Sequence, residues 1–198
     1  MIAVSIKSIQ VSARGISEIE YDDGSVYVGN VKGEVKEGFG KLTMNNGDWY
    51  EGNFKDDVFD GQGKYYSESL EYEGEWKEGH QHGKGKEKWK DGSIFEGSFR
   101  EGVKFGLGKY QFPDGSKYEG NWTNGFINGK GIFTYKNKNY YEGEFLKGLK
   151  HGNGKYFYNN GEIYEGTFMN DQKNGKGVLT KKDGTKINEE YKNGVKIK

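Results

Sequence analysis

Tyr72-Glu73-Gly74-Glu75-Trp76-Lys77-Glu78-Gly79-His80-Gln81-His82-Gly83-Lys84-Gly85 is the stretch on which the reading of this chain turns. Aromatic, glycine and aromatic stand two residues apart at 72, 74 and 76, and two glycines stand two apart at 83 and 85. Side chains two apart share a face only on a β-strand. The stretch therefore predicts two strands joined by a turn. Outward from Tyr72, the same aromatic recurs at Tyr27, Tyr50, Phe95, Tyr118, Tyr141 and Tyr164. Every step is 23 residues except one of 22. A fixed period in this range marks a repeat array, in which each unit buries its apolar face against its neighbours.

With the leading aromatic as position 0, position 1 is Glu from Glu51 to Glu165, with Val28 the exception. Position 2 is always Gly. Position 4 is Phe54, Trp76, Phe99, Trp122, Phe145 or Phe168, with Val31 in the first repeat. Positions 11 and 13 are Gly throughout, and position 15 is mostly apolar (Leu42, Tyr65, Tyr110, Phe133, Tyr156, Leu179), with Glu87 the misfit. Between repeats stand Asp23-Gly24, Asn46-Gly47, Asp91-Gly92, Asp114-Gly115, Asn160-Gly161 and Asp183-Gly184, dipeptides suited to tight turns. The glycines at 2, 11 and 13 are expected to leave bare backbone on which rings lie down. Each ring buries roughly 150–250 Å². One hairpin alone is marginal in water, so stability must come from neighbours.

Bulk composition removes several function classes. The 198 residues carry 30 Lys plus Arg against 30 Asp plus Glu, so no net field argues for nucleic acid. There is no cysteine, hence no disulfide framework, thiolate zinc site or cysteine nucleophile. No 18-residue apolar stretch is present, so no transmembrane segment is expected. The N-terminal apolar run is too short for a signal peptide. A mean hydropathy of -1.01 would suit disorder, but aromatics make up 16% of the chain and hold a fixed phase, which argues for a folded array.

The motif Tyr-Glu-Gly-Glu-Trp-Lys-Glu-Gly with its following Gly-Lys-Gly, repeated as Tyr118-Glu119-Gly120-Asn121-Trp122 and Tyr141-Glu142-Gly143-Glu144-Phe145, resembles the MORN repeat (membrane occupation and recognition nexus). The resemblance covers residues 27–187 in seven units. It leaves residues 1–26 as capping strands or an arm, and 188–198 as a degenerate capping repeat. It departs locally. The first repeat is expected to lack the usual middle turn, the second is short near Ser67-Glu68-Ser69, the fifth has Lys136-Asn137-Lys138-Asn139 in place of a glycine turn, and the eighth start has Glu189 where glycine belongs. The resemblance implies an all-β, elongated solenoid of stacked hairpins, a single twisted antiparallel sheet with a groove. At two strands per repeat each unit adds roughly 10 Å.

Candidate chemistry dissolves into the repeat. His82 and His151 share position 10 three repeats apart and cannot share an ion, and His80 with His82 lacks a third ligand, so no metal is expected. The Gly-x-Gly pairs are not followed by the Lys-Ser/Thr of a phosphate loop, so no nucleotide or other cofactor is expected. The Glu row offers repeated solvated carboxylates rather than an acid and a base in different environments. No catalytic residue is assigned, and no room remains within 27–187 for a catalytic domain. Lysines at positions 12 and 14 (Lys41, Lys64, Lys84, Lys86, Lys109, Lys130, Lys155, Lys176) read either as a stripe for anionic lipid or, more simply, as cross-strand partners of the Glu row.

Aromatics are favoured interface anchors. The expected partner contacts are Tyr72, Trp76, Phe95, Phe99, Tyr118, Trp122, Tyr141 and Phe145, receiving a helix or extended segment of a partner protein in the groove. By resemblance the chain is a non-catalytic scaffold of a cytoplasmic, cytoskeletal or ciliary axonemal assembly such as a radial spoke. The alternative is a peripheral phospholipid-binding or tethering module. The chain has only two arginines, Arg14 and Arg100, among many Lys and Asn, a bias that accompanies AT-rich genomes and points the same way.

Overall fold

The computed structural model describes residues 5–198; the first four residues of the expected capping strands or arm lie outside the described residues. Among the described residues there are eighteen strands and no helix, in one antiparallel sheet. β1 (Ile6–Val11) and β2 (Ser17–Tyr21) precede the repeats. The repeats follow as β3 (Val26–Lys32) with β4 (Val35–Thr43), β5 (Trp49–Lys55) with β6 (Val58–Tyr66), and β7 (Leu70–Lys77) with β8 (His80–Trp89). Next come β9 (Ile94–Arg100) with β10 (Val103–Gln111), β11 (Lys117–Thr123) with β12 (Phe126–Thr134), and β13 (Tyr140–Leu146) with β14 (Leu149–Phe157). β15 (Ile163–Met169) with β16 (Gln172–Thr180) and β17 (Lys186–Lys192) with the short β18 (Val195–Lys196) complete the order.

The chain forms two compact units. One takes the described residues through Gly92 together with Ser98–Gly102; the other takes Ser93–Gly97 and Val103–Lys198. In the first, β1 to β8 pair antiparallel in chain order. In the second, β10 to β18 do the same.

Two kinds of turn alternate. Inside a repeat the turn has two residues: Lys55 pairs with Val58 around Asp56 and Asp57, at φ 48° and 68°. Both central residues in the left-handed region match the right-handed twist of the flanking strands. The first repeat was expected to lack this turn, but it closes Lys32 on Val35 around Gly33-Glu34, with Gly33 at φ +66°. Between repeats the turn is wider: Met44 N–H donates to Asp48 O at 2.8 Å, and Gly47 N–H to Met44 O at 3.0 Å. The fifth repeat makes the same pair of bonds, Tyr135 N–H to Asn139 O and Lys138 N–H to Tyr135 O, both at 2.9 Å. There Lys138 takes the positive φ, 68°, that glycine takes elsewhere.

The core lies on the face that carries positions 0 and 4. Tyr27, Tyr50, Tyr72, Phe95, Tyr118, Tyr141 and Tyr164 are buried, as are the position-4 rings from Phe54 to Phe168. Each position-0 ring lies flat across two strands of its own hairpin. A Cβ on Gly131 would sit 2.4 Å from the Tyr118 hydroxyl and 2.5 Å from its ring. The hydroxyls of Tyr27, Tyr50, Tyr72, Tyr118 and Tyr141 cap this pose by donating to the position-3 carbonyl, as from Tyr118 to Asn121 O at 3.0 Å. Position-4 rings then meet them edge-on: Tyr118 and Phe145 at 5.2 Å and 83°, Tyr50 and Trp76 at 5.3 Å and 90°. Edge-to-face contact is the favoured geometry between aromatic quadrupoles.

Positions 2 and 13 thus make room for rings, but position 11 meets no ring; at Gly83 and Gly152 it is the Glu75 and Glu144 side chains that approach. A Cβ on Gly129 would meet no ring, only the Asn121 side chain at an ordinary 3.4 Å; what the glycine supplies is φ +95° at a bulge, where the register skips between Gly120–Gly131 and Trp122–Ile127. Conformation, rather than space for a ring, demands the first glycine of each Gly-x-Gly.

Candidate functional site

Three rows of side chains build the core face above the glycine floor. The first is the buried rings. All eight residues expected to contact a partner are here, between 0 and 8% exposed, because neighbouring rings and the residue at position 9 cover them. Of the eight, Trp76 lines an open cleft in the first unit, with Asp60, Glu75, Glu78 and His82.

Position 9 is the second row, and the sequence reading missed it. It stands directly opposite position 4, as in Phe54–Phe59, Trp122–Ile127 and Phe168–Lys173. From there it lies over the position-0 ring. Phe59 stacks on Tyr50 at 3.7 Å, Lys104 Nζ stands 5.0 Å from the Phe95 centroid, and Lys173 Nζ 3.7 Å from that of Tyr164. It is lysine in four repeats (Lys36, Lys104, Lys150, Lys173) but Phe59, Gln81 and Ile127 in the others, so neither charge nor hydropathy recurs there at every period.

Two of these lysines are held identically. Lys36 Nζ meets Asp57 at 2.8 Å and the Tyr21 hydroxyl at 3.0 Å. Lys150 Nζ meets Asp171 at 3.5 Å and the Tyr135 hydroxyl at 2.7 Å. Burial works against both ammoniums, but the carboxylate and phenol outweigh it and hold both above the ordinary lysine value. Lys173 differs. The carboxylate position in the next repeat is Gly194, and Lys173 forms no ion pair among the described residues. It sits among Tyr158, Tyr164 and Tyr191, at 5.6, 3.7 and 4.7 Å from their centroids. Burial pulls its ammonium below the ordinary value, with Glu189 opposing and Lys196 assisting. The same desolvation pushes the Tyr27 and Tyr118 phenols up to about 12.

The third row is the rim at positions 15 and 17. In the second unit repeats four to six make it an aromatic ladder, Tyr110, Phe112, Phe133, Tyr135, Tyr156 and Tyr158, all partly exposed, which ends at Leu179 and Lys181 in the seventh. Successive centroids are 4.6, 5.3, 4.7, 5.8 and 4.8 Å apart. In the first unit the same places hold Leu42, Met44, Tyr65, Ser67, Glu87 and Trp89. Glu87, the misfit of the sequence, is a buried carboxylate that accepts from Gln81 Nε2 at 2.9 Å.

On the opposite face part of the lysine row is paired with the glutamate row. Lys64–Glu73, Lys109–Glu119 and Lys155–Glu165 stand opposite each other across strands at 3.2, 3.1 and 3.2 Å. Position 3 secures the bulge: Asn121 Nδ2 donates to Lys130 O at 3.0 Å, whereas Glu75 Oε1 accepts from Lys84 N–H at 2.7 Å. Among the described residues no group of three His, Asp or Glu side chains converges to hold a metal; His82 and His151 pair with Glu75 and Glu144 across strands.

A stack of hairpins with a glycine floor and covering aromatic rows is the face of a β-repeat solenoid. The family model described as MORN repeat matches residues 27–49, 50–69, 72–94, 95–117, 118–140, 141–163 and 164–186, and the chain belongs to that family. No curated protein matches the sequence. Among solved structures, the chain is similar to the SAS-4 (dCPAP) TCP domain of Drosophila melanogaster, solved in complex with a proline-rich motif of Ana2 (dSTIL). That match has 15% identity and a TM-score of 0.44, over 91% of this chain and 88% of that one. The TCP10 domain of Danio rerio CPAP matches at 12% identity and a TM-score of 0.33, over 96% and 94%.

Proposed function

We propose that the chain is a non-catalytic scaffold that binds a segment of a partner protein along the core face of its hairpins. The observation that carries this reading is the partly exposed aromatic rim of the second unit. Rings left half-covered on an otherwise closed face are the kind of surface partners anchor on. The eight buried rings serve it as the floor beneath the partner, with Trp76 reaching the surface at its own cleft.

The assembly we propose is cytoskeletal, with the axoneme and its radial spokes as the setting. Support comes from the family resemblance and the Lys- and Asn-rich composition. The test is affinity purification of the tagged full chain from its own cells, with imaging of the tag. A protein recovered at stoichiometric ratio and a cytoskeletal pattern support the proposal; recovery of no stable protein partner sinks it.

The lipid-binding alternative has less behind it, because part of the basic stripe it needs is paired with glutamates on the outer face. Co-sedimentation with phosphoinositide vesicles that weakens with salt would restore it.

A further inference from the structure

The rim of the second unit has a spacing and a chemistry that select among peptide conformations. Consecutive rungs of the ladder belong to every second strand: Tyr110 on β10, Phe133 on β12 and Tyr156 on β14. Strands are about 4.8 Å apart, so the track repeats about every 9.6 Å across the sheet. A polyproline II helix rises about 3.1 Å per residue with three residues per turn, about 9.3 Å, so it shows the same side to each rung. An α-helix returns to the same side only after about seven residues, about 10.5 Å, and so slips by about 0.9 Å at every rung. A β-strand covers the distance in about three residues and presents opposite sides to successive rungs.

The polar groups suit the same conformation. The Tyr135 hydroxyl accepts from Lys150 Nζ at 2.7 Å, and the Tyr156 hydroxyl accepts from Asn139 Nδ2 at 3.1 Å. Each is thereby left with its own proton to donate. A polyproline II backbone makes no internal hydrogen bonds and offers all its carbonyls. At the end of the ladder Lys173 hangs over Tyr158, lacking the aspartate that serves Lys36 and Lys150 in the equivalent places.

We propose that Tyr110, Phe112, Phe133, Tyr135, Tyr156 and Tyr158 form a docking track for a proline-rich polyproline II segment of a partner protein, whose carboxylate completes the Lys173 site in the way Asp57 and Asp171 complete the other two. The segment crosses from β10 to β16, six strand spacings, and has about nine or ten residues. This rests on the protein-binding reading above and names the chemistry of the partner.

The test is selection of random twelve-residue peptides on the full-length chain, followed by fluorescence anisotropy of the enriched peptides. The expected winners carry prolines at a spacing of three and an acidic residue toward one end. Lys173→Gln should weaken them about tenfold and flatten the salt dependence of binding. Tyr135→Phe and Tyr156→Phe, which keep the rings, should each weaken them about threefold. Winners with helical spacing, no enrichment at all, or binding indifferent to all three variants would overturn the track. A chain that captures a stoichiometric cellular partner yet enriches no proline-bearing peptide keeps its scaffold role and loses this docking mode. A chain that does neither loses both.

Discussion

The rim at positions 15 and 17 is six aromatic rings over repeats four to six, in the second unit, and a mixture of Leu42, Met44, Tyr65, Ser67, Glu87 and Trp89 in the first. Beneath those rims the floors are the same: Tyr50 lies over Gly52 and Gly63 as Tyr118 lies over Gly120 and Gly131. Folding constrains the floor in every repeat, because a ring flat on the backbone tolerates no Cβ. The rim is under no such demand, so its divergence marks where the two regions can recognise different things.

The largest expected effect tests the shared floor. Gly63→Ala and Gly131→Ala drive a Cβ to 2.3 and 2.4 Å from the Tyr50 and Tyr118 hydroxyls, and each should cost about 3 kcal/mol in a denaturant melt. Equal losses sharpen the comparison; a loss confined to one region breaks it. Gly129→Ala, at φ +95°, should cost about 1–2 kcal/mol by strain alone.

The rim comes next. Phe133 touches Phe112 and Tyr135, so Phe133→Ala should cost about 2 kcal/mol and interrupt the ladder. If the fold of the second unit collapses instead, the rim there is core, and the contrast between the regions fails.

A smaller effect separates the lysine sites. Burial opposes the charged form of Asp57, but Lys36 outweighs it and holds the carboxyl below its usual value. A carboxyl depressed in the folded state contributes stability above its unfolded pKa and loses it as pH falls through the folded value. Asp57→Asn should therefore cost about 1 kcal/mol or less at pH 7, given the exposure of the pair. The gap from the parent should close at pH values below the ordinary aspartate range. A gap that stayed constant down to pH 2 would exclude the ion pair as its origin.

The smallest change should be a gain. Lys138 holds φ 68° in a turn that uses glycine elsewhere, as Gly47 does in the first unit at φ 88°. Lys138→Gly relieves that strain against a larger unfolded-state entropy, and should stabilise by about 0.5 kcal/mol in thermal melts.

The period, the strand pairs and the aromatic-glycine floor were legible because they depend on neighbours two residues apart, which alternation reveals directly. The Lys–Glu pairing of the outer face was legible for the same reason. The two jobs of Gly-x-Gly were not separable in the sequence, since glycine answers equally to a ring overhead and to a positive φ. Position 9 escaped because lysine, phenylalanine, glutamine and isoleucine all serve as lids, and only their place opposite position 4 unites them. The rings at positions 0 and 4 are expected as partner contacts because a single sheet leaves one side open; within the chain the position-0 rings lie flat beneath position 9, the position-4 rings meet them edge-on, and both sets are buried.

The sequence by itself determined a MORN array of hairpins and the spacing of its buried rings, because a strand's two-residue alternation and a glycine's missing Cβ are written into local order. Which rings stay half-exposed, which lysines find a carboxylate and which does not, were decided by the tertiary structure. Those outcomes depend on side chains from successive repeats, some 20 residues apart in the chain, meeting over one face of the sheet.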